Sequence, residues 1–447
     1  MAQTELLIHG RWVVPMETGT TVLEHHSIAV DQGRITAVVP RAQADTEFSA
    51  CHTVDCAEHV LLPGLINCHT HAAMTLFRGL ADDLPLMTWL NDHIWPAEGR
   101  WVNDQFVRSG TELAIAEMIL GGTTCFNDMY FFPDETARAC REHGMRCVIG
   151  MILIDFPTVW AKDANEYLDK GIAVHEHYRD HPLVTTALAP HAPYSVSDEP
   201  LTRARALAEK LDVPIHMHVH ETRDEITRAA AQGQPRPLAR LASLGLLTGR
   251  LMAVHMTQLN DDEIETIAAS GTHVVHCPES NLKLASGFCP VQRLLAAGIN
   301  VALGTDGAAS NNDLDMLGEL RSAALLAKGV AQDACAVPAS QALAMATING
   351  ARALGLDQDI GSLRAGKAAD LIAVDLSDIT SQPVYDVISH LVYCTHRHQV
   401  TDVWIQGRAV LSQRRLVTLN VDELAGTART WRDQIRSFDR HEPFPDS

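Results

Sequence analysis

The sequence predicts an α/β protein, a closed (β/α)8 barrel with a small β-sheet or sandwich domain built from both chain ends, and three observations predict it. Eight apolar runs of strand length, at 60–71, 123–130, 146–154, 183–191, 213–221, 251–257, 272–278 and 300–308, alternate with amphipathic helical stretches. That alternation is the signature of βα units around a parallel sheet. Residues 4–60 and the stretch beyond 366 instead carry short strand and turn signals. Histidine or aspartate also recurs at the carboxyl ends of five of the eight runs, the face on which barrels of this kind carry their chemistry.

Taken in order, Glu5–Gly10 and 27–39 read as strands, with Asp31-Gln-Gly as a hairpin connection, and no helical period appears before residue 60. The first barrel run ends Leu65-Ile-Asn-Cys-His69-Thr-His71. Side chains on a strand alternate between its faces, so residues 69 and 71 point the same way and can grip one ion together. The segment 72–103, with Asp82-Asp-Leu-Pro, has the length of an active-site lid. Strand four ends at His191, strand five carries His216, His218, His220 and Glu221, strand six ends at His255, and strand eight ends at Asp306. Helical patterns such as Asp198–Leu211 and Asp261–Gly271 separate these runs, and a last one spans 338–355. Strand character returns at 369–375 and 400–410, and pairing the two β-rich ends would protect their edges. The expected division is 1–60 and 366–447 for the β domain and 61–365 for the barrel, with 439–447 as a frayed tail.

Composition narrows the function. Hydrophobic residues make up 46% and charged residues 20% of 447, a globular balance, and apolar stretches such as Val148–Ile154 are too short to cross a bilayer. A formal charge of −20, without any Lys/Arg cluster, disfavours nucleic-acid polymers and anionic membranes as partners. The amino terminus has neither a secretory nor a transit pattern, so a cytoplasmic location is expected. Ten cysteines without a Cys-x-x-Cys pair suit reduced, structural thiols. A homodimer is compatible with the sequence, which contains no patch that decides it.

A lone strand-end histidine is ordinarily a hydrogen-bonding residue, and His273 and His276 on strand seven fit that description. The convergence of the others on one rim argues for a metal, because a catalytic zinc needs about four ligand positions with one left for water or substrate. Spacing alone does not choose among His216, His218 and His220, which alternate onto one face.

Four segments carry a resemblance. They are Leu62-Pro-Gly-Leu-Ile-Asn-Cys-His-Thr-His-Ala-Ala-Met-Thr-Leu-Phe-Arg-Gly, Trp89-Leu-Asn-Asp-His-Ile-Trp-Pro-Ala-Glu98, Ser280-Asn-Leu-Lys-Leu-Ala-Ser-Gly and Gly304-Thr-Asp-Gly-Ala-Ala-Ser310-Asn-Asn. With the strand-end residues they resemble the amidohydrolase superfamily and, within it, the 5′-methylthioadenosine/S-adenosylhomocysteine deaminases, over nearly the whole chain. The resemblance implies that His69, His71, His218 and Asp306 bind one metal per subunit, zinc with iron(II) as the alternative. His216 and His220 then fall to supporting roles. It further implies that Glu221 is the acid/base group and that Asp306 and His255 handle the proton of a water whose pKa the metal lowers toward about 7. Glu98 would accept hydrogen bonds from ribose, His191 would contact base or ribose, and Ser310 and Asn281 would be further substrate contacts. Superfamily members with two metals commonly place a bridging Lys after strand four; His191 stands there, which favours one metal.

The expected reaction is hydrolytic deamination of the adenine of a small nucleoside. One departure bears on specificity. Family members that take S-adenosylhomocysteine bind its carboxylate with arginines in and after strand three, whereas this strand turns apolar through Met151, Ile152 and Phe156 and Arg146 sits at its opposite end. An unpaired carboxylate in an apolar pocket is costly, so 5′-methylthioadenosine is the expected preference. The rival readings are a deaminase or hydrolase of a free base or triazine on the same scaffold, and a non-catalytic barrel.

Overall fold

The computed structural model describes residues 1–17 and 21–439, so all but the first residue of the expected tail lies outside the described residues. Two eight-stranded sheets organise the chain. The first is mixed and comes from both ends: β1 (Ala2–Val13), β2 (Leu23–Asp31), β3 (Arg34–Pro40) and β4 (Phe48–Pro63) join four later strands. The second is the barrel, eight parallel strands in sequential order: β5 (Leu65–Thr70), β6 (Thr123–Asp128), β7 (Arg146–Leu153), β8 (Val184–Pro190), β9 (Ile215–Val219), β10 (Leu251–His255), β11 (His273–His276) and β12 (Val301–Leu303). The mixed sheet is completed by β13 (Leu371–Asp375), β14 (Val400–Ile405), β15 (Arg408–Ser412) and β16 (Arg415–Leu416), with β13 pairing antiparallel to β4. This is the expected (β/α)8 barrel with a sheet from both chain ends beside it.

The barrel strands are buried on both faces, as parallel strands covered by helices must be. Closure falls to the short β12, whose continuation donates Asp306 N–H to the His69 carbonyl at 2.9 Å. Gly304 permits that approach, since a Cβ there would lie 2.7 Å from the His69 nitrogen. The predicted hairpin joins β2 to β3, with Gln32 at φ 48° and Gly33 at φ 75°, the two positive values of a tight turn that matches strand twist.

The structure corrects three local readings. The run 60–71 is not one strand: it breaks at Gly64, β4 ending in the mixed sheet and β5 starting the barrel. A Cβ at residue 64 would sit 2.0 Å from the Thr124 hydroxyl, so the chain turns between the sheets where only glycine fits. Residues 41–47 form a helix, Arg41–Glu47, in a region read as lacking any; only Ala44 of it is buried, too little to leave a period in the sequence. A further helix, Val421–Asp439, lies within the end expected to be β-rich, and its Trp431 packs edge-on against Phe106 of the helix Asp104–Leu120 at 5.2 Å.

Candidate active site

Four side chains converge at the carboxyl rim of the barrel. His69 comes from β5, His71 from just past its end, His218 from β9 and Asp306 from the turn after β12. Their donor atoms all lie within 4.8 Å of one another. The Nε2 atoms of His69 and His218 are 3.2 Å apart, and Asp306 Oδ1 stands 3.2 Å from His69 Nε2 and 3.3 Å from His71 Nε2. Tetrahedral donors at about 2.0–2.1 Å from zinc stand about 3.4 Å from each other, so these spacings suit one ion.

The hydrogen-bond partners make the same point. His71 Nδ1 donates to the Met129 carbonyl at 2.6 Å and His218 Nδ1 to the His191 carbonyl at 2.7 Å. Both rings therefore aim a lone pair from Nε2 at the centre. Ser280 Oγ donates to Asp306 Oδ2 at 2.6 Å, leaving Oδ1 turned inward. Without a cation, burial would pull His71 down, but the hydrogen bond and charge of Asp306 outweigh it and raise the ring to about 9. A proton would then fill the gap that a divalent ion fills better. The cluster is a His3Asp metal site.

Backbone geometry settles what spacing left open in β9. His216 and His218 face the barrel interior, His216 one layer below, where its Nε2 meets His69 Nδ1 at 2.9 Å. His220 has φ 51° and is turned away, accepting from the Leu238 amide at 3.1 Å. His255 at φ 76° and Asp306 at φ 64° are likewise left-handed. Such non-glycine residues cost of order 1–3 kcal/mol each and gather at functional sites.

Around the cluster, His255 Nε2 is 4.0 Å from Glu221 Oε2, and its Nδ1 pairs with the Asn281 amide at 3.0 Å. Asn281, expected as a substrate contact, is buried behind His255 and does not line the cavity. Burial, reinforced by the charges of Asp306 and Glu225, pushes the Glu221 carboxyl well above its usual range, toward its neutral form. His191 lines the cavity, its Nδ1 held by Ser195 Oγ at 2.8 Å, and burial followed by the nearby imidazoles lowers it to about 3. Ser310 lines the wall, its hydroxyl donating to the Gly307 carbonyl.

The cavity measures about 230 Å³ and runs from the metal cluster to Glu98, which the helix Trp95–Trp101 presents. Glu98 lies beside the buried Tyr130 hydroxyl, and burial raises it to about 7 against the opposing pull of Tyr130 and His71. Beyond it the wall is apolar, with Trp95, Ile152, Ile154 and Phe156, and neither lysine nor arginine is among the described lining residues. Met151, expected there, faces the other way against Gly171 of the helix Ala164–Tyr178, as strand alternation requires. Arg146 is spent elsewhere: it is buried and bidentate to Asp370, at 2.6 and 3.2 Å. The sequence reading gave no role to Ser280, although it opens one of the four resembling segments, nor to Tyr130, which carries no motif of its own.

Residues 60–410 match the amidohydrolase family model. The chain belongs to the amidohydrolase family. Among its relatives, this amidohydrolase is 49% identical over 433 residues to a 5-methylthioadenosine/S-adenosylhomocysteine deaminase of Saccharophagus degradans, covering 97% of each chain. It is 48% identical to the protein of the same description from Teredinibacter turnerae, covering 96% of this chain and 97% of that one. Among solved structures, an adenosine deaminase from Xanthomonas campestris with bound zinc superposes with a TM-score of 0.96 at 53% identity, over 97% of this chain and 99% of that one. The amidohydrolase thus groups with the 5-methylthioadenosine/S-adenosylhomocysteine deaminases, and its four clustered donors suit the ion present in that structure.

Proposed function

We propose that this amidohydrolase is a hydrolytic deaminase of 5′-methylthioadenosine, converting it and water to the inosine analogue and ammonia, with one zinc ion per subunit at His69, His71, His218 and Asp306. The observation that carries the reading is the placement of Glu221, a carboxyl that burial shifts toward its neutral form, beside the metal cluster at one end of a cavity whose other end holds Glu98 and an apolar, uncharged wall. Zinc, when bound, lowers the pKa of a coordinated water and supplies the nucleophile at neutral pH. Iron(II) is the alternative occupant, decided by elemental analysis of protein purified without added metal.

Asp306 takes up the proton of the attacking water at its carboxylate, whose orientation Ser280 fixes. His255 hydrogen-bonds the same water through Nε2. Glu221 gives its proton to the purine nitrogen next to the carbon under attack and, as the acid/base group, helps deliver a proton to the departing amine, a task that needs a carboxyl able to give and regain it near neutrality. Glu98 accepts from the ribose hydroxyls, with His191 and Ser310 as further contacts to base and sugar. The thiomethyl group lies against Ile152, Ile154 and Phe156. S-Adenosylhomocysteine would bring a carboxylate to a wall without a cation, which disfavours it.

The same reading divides the chain into a β domain of 1–60 and 366–447 and a barrel of 61–365, and places the enzyme in the cytoplasm, acting on a small nucleoside and not on a nucleic-acid polymer. A homodimer remains compatible with it. Among the described residues, no helix is long and apolar enough to cross a membrane.

Ammonia release from 5′-methylthioadenosine, S-adenosylhomocysteine, adenosine, guanine and cytosine tests the proposal. The expected result is highest kcat/KM on 5′-methylthioadenosine, and a loss of roughly 10²–10⁴ in kcat for Glu221→Gln with zinc retained. Equal or higher efficiency on S-adenosylhomocysteine would overturn the selectivity. Turnover of a free base alone would overturn the nucleoside reading and the role of Glu98.

A further inference from the structure

The three imidazoles of the metal cluster are not backed alike. His71 and His218 each donate Nδ1–H to a main-chain carbonyl, of Met129 and His191, which no side-chain substitution removes. His69 has a side chain behind it: its Nδ1 lies 2.9 Å from His216 Nε2, with the rings edge-on, 4.9 Å between centroids and 74° between planes. Both residues are wholly buried.

Proton bookkeeping fixes this pair. His69 Nε2 faces the other donors, at 3.2 Å from both His218 Nε2 and Asp306 Oδ1, so its lone pair is needed there and its proton must sit on Nδ1. His216 Nε2 must then accept, which puts the His216 proton on Nδ1. That nitrogen is buried and has no protein partner among the described residues. A buried N–H without an acceptor costs free energy that an apolar side chain of similar shape would not. His216 is therefore a poor choice for packing, and its worth has to come from the nitrogen that faces His69.

We propose that His216 is a positioning residue for the metal: it holds His69 in the tautomer that turns Nε2 inward, and fixes the ring plane. The role resembles in kind the partners that commonly accept the second N–H of metal-bound histidines, whose removal typically costs 10–100-fold in metal affinity. A neutral imidazole does this without adding negative charge beneath a site that already contains Asp306. Because the other two backings are carbonyls, His216 is the position among the imidazole backings at which a side-chain substitution can tune metal retention.

The inference rests on the metal-site reading, and the test separates the two. Zinc affinity is measured by competition with a chromophoric chelator, and thermal unfolding is followed for the metal-free and zinc-loaded full chain, for wild type, His216→Leu and His216→Gln. The expected result for His216→Leu is zinc affinity lower by 10–100-fold with the melting temperature of the metal-free protein close to that of wild type, because the unpartnered N–H of His216 is gone while that of His69 loses its acceptor in exchange. Gln keeps an oxygen that can accept from His69 and should recover most of the affinity. A His216→Leu protein that binds zinc within twofold of wild type overturns the inference. So does one whose metal-free form melts well below wild type while His216→Gln melts there too without recovering zinc, since that pattern belongs to packing alone. Wild type that binds no zinc overturns the metal-site reading itself. The visible spectrum of the cobalt-loaded proteins supplies a readout independent of turnover: an altered ligand field in His216→Leu, restored in His216→Gln, is expected, and identical spectra for all three count against the role.

Discussion

Glu98 and Glu221 are both carboxyls that burial pushes toward neutrality, yet the proposed reaction needs opposite forms of them. Glu221 must arrive protonated, and burial with the nearby charges of Asp306 and Glu225 shifts it in that direction. Glu98 must be ionised to accept from ribose, and its pKa of about 7 puts that requirement inside the working range. KM for 5′-methylthioadenosine should therefore fall by roughly tenfold between pH 6 and pH 8, following the ionised fraction, and the dependence should flatten in Glu98→Gln; a wild-type KM flat across that range would contradict it. The same shift has a sign for stability. A carboxyl whose folded pKa lies above its unfolded value of 4.5 loses stability as pH rises from about 4.5 to about 7, with the full cost above 7. Glu98→Gln should thus unfold at higher denaturant than wild type at pH 8, and the advantage should vanish below pH 4.5. Most of this chemistry was legible in single residues: His69, His71, His255 and Asp306 stand where strand ends placed them. Spacing did not separate His218 from His216 and His220, which only the family resemblance did; the structure turns His220 away by a left-handed φ and sets His216 one layer below, against His69 Nδ1.

At the scale of elements, the link between barrel and mixed sheet is chemical as well as topological. Arg146, at the start of β7, is buried and paired with Asp370, just before β13; its Nη1 also donates to the Pro182 carbonyl, and Asp370 accepts from the Gln406 amide. Breaking a buried pair by removing one partner leaves an uncompensated charge and costs about 3–5 kcal/mol. Arg146→Met should lose that much in urea unfolding, while adding Asp370→Asn, which removes the charge and keeps an oxygen for Gln406, should recover a good part. Equal stability of Arg146→Met and wild type would show the pair contributes nothing. This contact also explains why Arg146 is not a substrate clamp, as its position at the strand's start suggested. Other elements were less legible. The break at Gly64 depends on Thr124, sixty residues along the chain, filling the space a Cβ would need. The helix Val421–Asp439 had a readable spacing in Leu424, Ala428, Trp431 and Ile435, but charged residues and strand-like neighbours obscured it.

For the whole molecule, the metal ligands tie together β5, β9 and the end of β12, strands from the first, fifth and eighth units of the barrel. An ion held only by the folded arrangement stabilises it by mass action, about 2.7 kcal/mol at a free concentration one hundred times Kd. Removing zinc with dipicolinate should lower the melting temperature and abolish deamination, and adding zinc back should restore both. A melting temperature indifferent to chelation, with full metal loss verified, would mean the ligands are held in place by the barrel alone and that binding adds no stability.

The sequence by itself determined the eight-unit barrel, the contribution of both ends to one sheet, and the residue types on the rim, because strand and helix periods and strand-end histidines are local in the chain. Spacing left open which histidine of β9 reaches the metal cluster, and the structure places His218 there as the family resemblance implied; tertiary structure alone decided that Met151 turns away from the cavity while Ile154 joins it, and that Ser280 and Tyr130 support the site. These depend on backbone hand, strand alternation and closure of β12 onto β5, which bring into contact residues that the linear chain keeps far apart.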